Sequence, residues 1–135
     1  EAYAMPDSIA GPERSGERAA ARLDFQVFPR QNQQEIPKNQ YTKWFDYDKI
    51  KDTLSVRNRQ TGDYITLASG GRKSVKSFMI DEKIPRESRD AVLLLAEGSH
   101  VLWIVGYRIS EYYKVTEQTK NILQVQTDGG TDSGR

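Results

Sequence analysis

The sequence predicts an α+β fold, with strands towards both ends of the chain and two short helices between them. Three patterns carry that reading. Leu23, Phe25 and Val27 alternate with polar residues, the period of a half-buried strand. Val75, Phe78 and Met79 recur at helical spacing. Val92–Leu95 and Val101–Val105 are continuous apolar runs separated by Glu97-Gly-Ser-His100, a hairpin of two buried strands. Strands, then helices, then strands again argue against alternating βαβ units. No internal repeat is visible at a period of 20–50 residues.

The elements follow in order. Residues 1–21 read as a linker or lead-in punctuated by Pro6, Gly11, Pro12 and Gly16, with a short helix possible over Pro12–Ala21. Arg22–Phe28 is the first strand, and Pro29–Asn39 is a polar loop with two prolines. Tyr41–Tyr47 is an aromatic strand, after which Asp48 caps a turn. Thr53–Asn58 and Asp63–Leu67 are strands around the turn Arg59–Gly62. Ser69-Gly70-Gly71 breaks the chain, and the spacing predicts a helix over 72–80. Pro85 opens a second helix to about Asp90. Asn121–Gln126 is the last strand of a domain spanning 22–126, and 127–135 lacks any apolar residue and reads as a disordered tail.

Composition excludes several kinds of chemistry. The 135 residues suffice for one domain and a tail. There is no cysteine, so disulfides, thiolate metal sites and cysteine nucleophiles are absent. His100 is the only histidine; it sits in the hairpin turn, where exposure is expected, and no metal site is predicted. No apolar run approaches the roughly 20 residues of a membrane helix, and no secretory signal is visible. The chain is therefore expected to be cytoplasmic. It starts at Glu1 rather than Met and is expected to be a piece of a longer protein. The net charge of +1 hides an asymmetry: residues 49–89 carry ten Lys and Arg against five Asp and Glu, a local +5. That middle third favours phosphate or an acidic surface as partner, unless it is simply a solvated face.

Two strings imitate the phosphate loop Ser-Gly-Gly-x-Asp-Ser. Ser69-Gly70-Gly71-Arg72-Lys73-Ser74 has Lys where Asp belongs, and Asp128-Gly129-Gly130-Thr131-Asp132-Ser133 lacks the leading Ser and any following helix. Neither supports ATP chemistry, which needs backbone N–H groups of a helix aimed at phosphate. The first string keeps a weaker use: Arg72, Lys73 and Lys76 at a helix end are either a seat for a nucleic-acid phosphate or solvated cations after a glycine turn. Arg57 and Arg59 alternate on one strand face, so that face is wet or bound. Arg86 and Arg89 share a helix face and bind phosphate or neighbouring acids. Trp103 belongs in the core. Trp44, Phe45, Tyr47, Tyr112 and Tyr113 are core or base-stacking residues. No nucleophile–base pair, paired carboxylates or metal cluster is evident.

Read together, Lys43-Trp-Phe-Asp-Tyr-Asp-Lys-Ile50, Leu54-Ser-Val-Arg-Asn-Arg59, Gly62-Asp-Tyr-Ile65, Lys73-Ser-Val-Lys-Ser-Phe78, Lys83-Ile-Pro85 with Arg89, and Val101-Leu-Trp-Ile-Val-Gly106 with Arg108-Ile-Ser110 resemble the C-terminal domain of bacterial tRNA(Ile)-lysidine synthetase. The resemblance spans about residues 22–126.

The resemblance implies a layered, β-sandwich-like α+β fold similar to a module of the phenylalanyl-tRNA synthetase β subunit. It implies a tRNA-binding accessory domain that grips the acceptor stem of an isoleucine tRNA. The carbon–nitrogen ligation that converts wobble cytidine to lysidine, with ATP, Mg and lysine, belongs to an N-terminal ATP-pyrophosphatase domain acting in cis. No catalysis and no cofactor are expected of this chain alone. The full-length enzyme is a possible homodimer. By motif, Arg57 and Arg59 belong to the arginine turn shaped by Gly62 and Asp63. Lys73 and Lys76 belong to the basic helix, and Arg89 and Arg108 follow their motifs. Arg72 and Arg86 join the RNA-binding set from position alone. The rival reading is a protein-interaction or structural module with a solvated basic face.

Overall fold

A computed structural model describes Ile9–Ala10 and residues 23–127. The strands are β1 (Ile9–Ala10), β2 (Leu23–Pro29), β3 (Thr42–Asp46), β4 (Leu54–Arg57), β5 (Tyr64–Thr66), β6 (Arg72–Ser74), β7 (Leu94–Glu97), β8 (His100–Ile104), β9 (Arg108–Ile109) and β10 (Asn121–Thr127). The helices are α1 (Val75–Asp81) and α2 (Arg86–Arg89). β2, β10 and β3 form an antiparallel sheet in that order. The other strands form a larger sheet ordered β1-β4-β7-β8-β5-β6, with β9 paired to β8.

The alternation of apolar residues explains the layers. Val27, Phe45, Leu123 and Val125 of the small sheet pack on Leu54, Val56, Leu95, Leu102 and Trp103 of the large one. The opposite face of the large sheet packs Leu94, Ala96, Val101 and Ile104 against Ile65, Val75, Phe78, Met79 and Ile84. β7 and β8 are thus covered on both faces, which is why they read as continuous apolar runs. Small sheet, large sheet and helices make three layers, the expected sandwich-like α+β architecture. Phe28 and Trp44 meet edge-to-face at 5.4 Å on the small sheet, and the Trp44 indole donates to Gln124 Oε1 at 2.9 Å.

One topological feature positions the site. Arg57 and Leu94 are register partners in the β4–β7 ladder. Residues 58–93 therefore leave and re-enter the large sheet at a single rung. This excursion carries β5, β6, α1 and α2, and rejoins the sheet through one parallel pair, Tyr64 with His100.

The helix expected over 72–80 is shorter than predicted. Arg72–Ser74 are a strand, paired with Thr66, Lys73's partner Ile65, and Tyr64. The cause is the loop before them. Gly70, at φ +95°, donates to Leu67 O at 2.8 Å, and Leu67 N–H donates to Gly71 O at 2.8 Å, closing a β-hairpin. Helical geometry begins only after Ser74, whose hydroxyl accepts from Ser77 N–H at 3.0 Å. β9 and a 3-10 turn at Glu111–Tyr113 had no strong sequence signal. β1, inside the expected lead-in, runs parallel to β4. The possible helix over Pro12–Ala21 and the tail from residue 128 lie outside the described residues, and Thr127 belongs to β10. Among the described residues no helix is long and apolar enough to cross a membrane.

Candidate nucleic-acid interface

The turn after β4 is built around one carboxylate. Asp63, 3% exposed, receives Arg57 in a two-pronged pair, Nη1 to Oδ2 and Nη2 to Oδ1, both at 2.8 Å. Asp63 Oδ2 also accepts Gln60 N–H at 2.7 Å. The Asp63 N–H donates to Gln60 O at 3.2 Å, closing a four-residue turn whose third position, Gly62, needs φ +94°. The Arg57 guanidinium further donates to Asn58 O at 2.9 Å and Gly98 O at 2.8 Å. Gly62 and Asp63 thus shape the turn. Arg57 braces it and does not share a wet strand face with Arg59, because β4 ends at Arg57.

Beyond the turn lies a polar hollow of about 860 Å³. Arg59 enters from the turn, Lys76 from α1, and Arg86 and Arg89 from α2. Two carboxylates line it, and both already have partners: Asp63 holds Arg57, and Asp90 meets Arg59 Nε at 3.1 Å. The Arg89 Nε donates to Ile84 O at 2.9 Å, which steers its guanidinium. Lys76 and Arg86 are exposed and take part in none of the ion pairs among the described residues. Cations mounted on a hydrogen-bonded turn and two helices suit phosphate oxygens, which need charge rather than a shaped pocket.

The other predicted residues are elsewhere. Lys73 points to the opposite face of β6 and is ion-paired to Asp81. Its grouping with Lys76 on one helix end does not hold, because Lys73 belongs to a strand. The N–H groups expected behind Gly70-Gly71 are those of a hairpin, and the true start of α1 is capped by Ser74. Arg108 is exposed on β9 and lines neither hollow described here.

Arg72 lines a second cleft of about 470 Å³, which sequence reasoning missed. Its guanidinium lies 4.1 Å from the Tyr64 ring centroid, and Tyr64 stacks on His100 at 4.6 Å and 21°. His100 is half-buried at the start of β8, not exposed in a turn. Its Nε2 lies 2.8 Å from Thr66 Oγ1 and 3.3 Å from Ser110 Oγ. Burial lowers the His100 pKa from 6.5; Glu97 opposes this shift and Arg72 adds to it. Tyr113 donates to Glu97 Oε1 at 2.5 Å, and burial and this carboxylate push its phenol upward. The cleft draws on four separate stretches of chain, so no local motif announced it.

The comparisons with known proteins agree with this architecture. A family model described as the TilS substrate C-terminal domain matches residues 54–126. The tRNA(Ile)-lysidine synthase of Caldanaerobacter subterraneus subsp. tengcongensis is 48% identical over 90 residues, covering 66% of this chain and 19% of that protein. The tRNA(Ile)-lysidine synthase of Clostridium tetani is 47% identical over 93 residues, covering 68% and 20%. The chain spans about a fifth of the length of these curated relatives. A crystal structure of a TilS C-terminal domain superposes with a TM-score of 0.65 at 22% identity, covering 85% of this chain and 87% of that one.

Proposed function

The chain belongs to the family of TilS substrate C-terminal domains, and from that premise we propose that it is a tRNA-binding accessory domain that grips the acceptor stem of an isoleucine tRNA. In this reading a catalytic domain elsewhere in the same protein carries out the ATP-, Mg- and lysine-dependent ligation. This chain contributes binding energy at a remote part of the substrate, which positions the reacting part. Ser69-Gly70-Gly71 closes a hairpin instead of preceding a helix, so this string has no helix N-terminus behind it to hold phosphate.

The observation that carries the reading is the hollow in which Arg59, Lys76, Arg86 and Arg89 meet while both acids there are already paired. The set is revised from the sequence expectation. Arg57 acts as a brace, Lys73 does not line the hollow, and the phosphate contacts are assigned to Arg59, Lys76, Arg86 and Arg89.

The test is a titration with an isoleucine-tRNA acceptor minihelix at low and physiological salt, with a scrambled stem and heparin as controls. Four phosphate contacts give a slope of log affinity against log salt of about 3 to 4 in magnitude. Replacing Lys76 or Arg86 by Ala lowers that slope by about 1 each, while Lys73→Ala leaves it unchanged. Equal binding to heparin and minihelix, or a slope indifferent to Lys76 and Arg86, overturns the reading in favour of an acidic protein partner.

A further inference from the structure

The two hollows adjoin on one face of the β5–β6 hairpin. Tyr64 pairs with Ser74, and Thr66 with Arg72, so these four side chains share a face. Ser74 lines the basic hollow; Tyr64, Thr66 and Arg72 line the other. Their linings differ in kind. The basic hollow has no aromatic ring among its lining residues. The second has four rings, and cations at Lys49, Lys51 and Arg72.

We propose that the second cleft seats an unpaired nucleotide of an RNA strand, next to the place where the duplex is gripped. The adjoining duplex rests on the function proposed above; the seat itself rests on the cleft. Arg72, Tyr64 and His100 form a ready-made column: guanidinium on ring at 4.1 Å, ring on ring at 4.6 Å. Arg72 is exposed, so the column is open at its cationic end. A guanidinium plane accepts a base by stacking. The column exists before the ligand arrives, so little ordering cost remains. Lys49 donates to Tyr112 O at 3.0 Å and holds that exposed ring at the rim, with its own charge 4.9 Å from the ring centre. Lys51, exposed, supplies charge for the phosphate.

Glu97 is the one acid in the lining. Its oxygens are taken by the Tyr113 hydroxyl at 2.5 Å and by the N–H groups of Lys51 and Asp52 at 2.5 and 2.7 Å. Three cations against this one satisfied carboxylate leave the cleft net positive towards a ligand. Bases inside a duplex are already stacked and paired, so a ring-lined seat selects nucleotides outside it.

The experiment measures affinity of the intact chain for a blunt RNA hairpin, the same hairpin extended by four unpaired adenosines, a free adenosine tetranucleotide, and AMP. The extension is expected to tighten binding about fivefold or more. Arg72→Ala and Lys51→Ala are each expected to remove that preference with an unchanged circular dichroism spectrum. Arg86→Ala is expected to weaken both hairpins by the same factor. Equal affinity for blunt and extended hairpins, or a preference that survives both cleft variants, overturns the proposal. AMP competing as well as the tetranucleotide overturns the strand assignment. If neither hairpin binds but the tetranucleotide does, with dependence on Arg72, the seat stands and the duplex reading falls. If no RNA binds at low salt, both fall.

Discussion

Arg57 directs its two terminal nitrogens at groups of its own protein, and three of the four contacts fix the shape of the turn beside the basic hollow. Asp63→Asn keeps the volume but removes the charge and one acceptor. It is expected to cost about 2 to 3 kcal/mol in urea unfolding, since the half-buried guanidinium loses its counterion. The motif had grouped Arg57 and Arg59 with Gly62 and Asp63; which arginine turns inward depends on where β4 ends, and that is set by pairing across the sheet. His100 and Tyr113 give the domain a pH signature. The folded pKa of His100 lies below its unfolded value of 6.5, so stability is fully present above pH 6.5 and is lost as pH falls below it. Tyr113 is shifted upward from 10.0, so stability also declines as pH rises above 10 and the unfolded phenol ionises first. Urea midpoints from pH 5 to 8 should flatten in His100→Gln. A midpoint profile identical to wild type would show that His100 does not titrate differently on folding.

Two short elements decide where the cations go. The loop before β6 needs Gly70 at φ +95°, with open space around the missing Cβ. Gly70→Ala is expected to cost about 1 kcal/mol through backbone strain alone, measured by thermal unfolding. Ser74→Ala removes the cap of α1 and is expected to cost a similar amount, about 1 kcal/mol. Because Ser74 also ends β6, the same change should perturb amide shifts in both elements. Elements with a strong period were legible: Val75, Phe78 and Met79 announced α1, and the alternation at Leu23 announced β2. The Arg72–Ser74 strand was not, because three polar residues have no period of their own. Their extended form comes from the hairpin and from Ile65, whose burial fixes which way β5 faces. Lys49, Lys51 and Tyr64 escaped notice for a related reason: the two lysines follow β3 and the tyrosine lies on β5, and only the fold brings these stretches together.

At the scale of the whole molecule, β10 holds the two sheets together. It is the central strand of the small sheet, and its Leu123 and Val125 lie in the core between the sheets. A chain starting at residue 54 would leave β10 without β2 and β3. It is expected to lose cooperative unfolding by circular dichroism, although it would retain every residue that the family model matches. The excursion of residues 58–93 has the opposite character. It contributes only the partly buried Leu93 to the core between the sheets, while supplying Ile65, Val75, Phe78, Met79 and Ile84 to the other. Its two ends meet at one rung. The excursion is therefore expected to open separately from the core between the sheets. In native-state hydrogen exchange, amides of β5, β6 and α1 should form one isotherm that opens at lower free energy than β10 and β3. Lys76, Arg86 and the rest of the basic hollow then ride on a unit that yields before its foundation does; on the proposed function, added RNA should slow exchange in that unit while leaving that of β10 untouched.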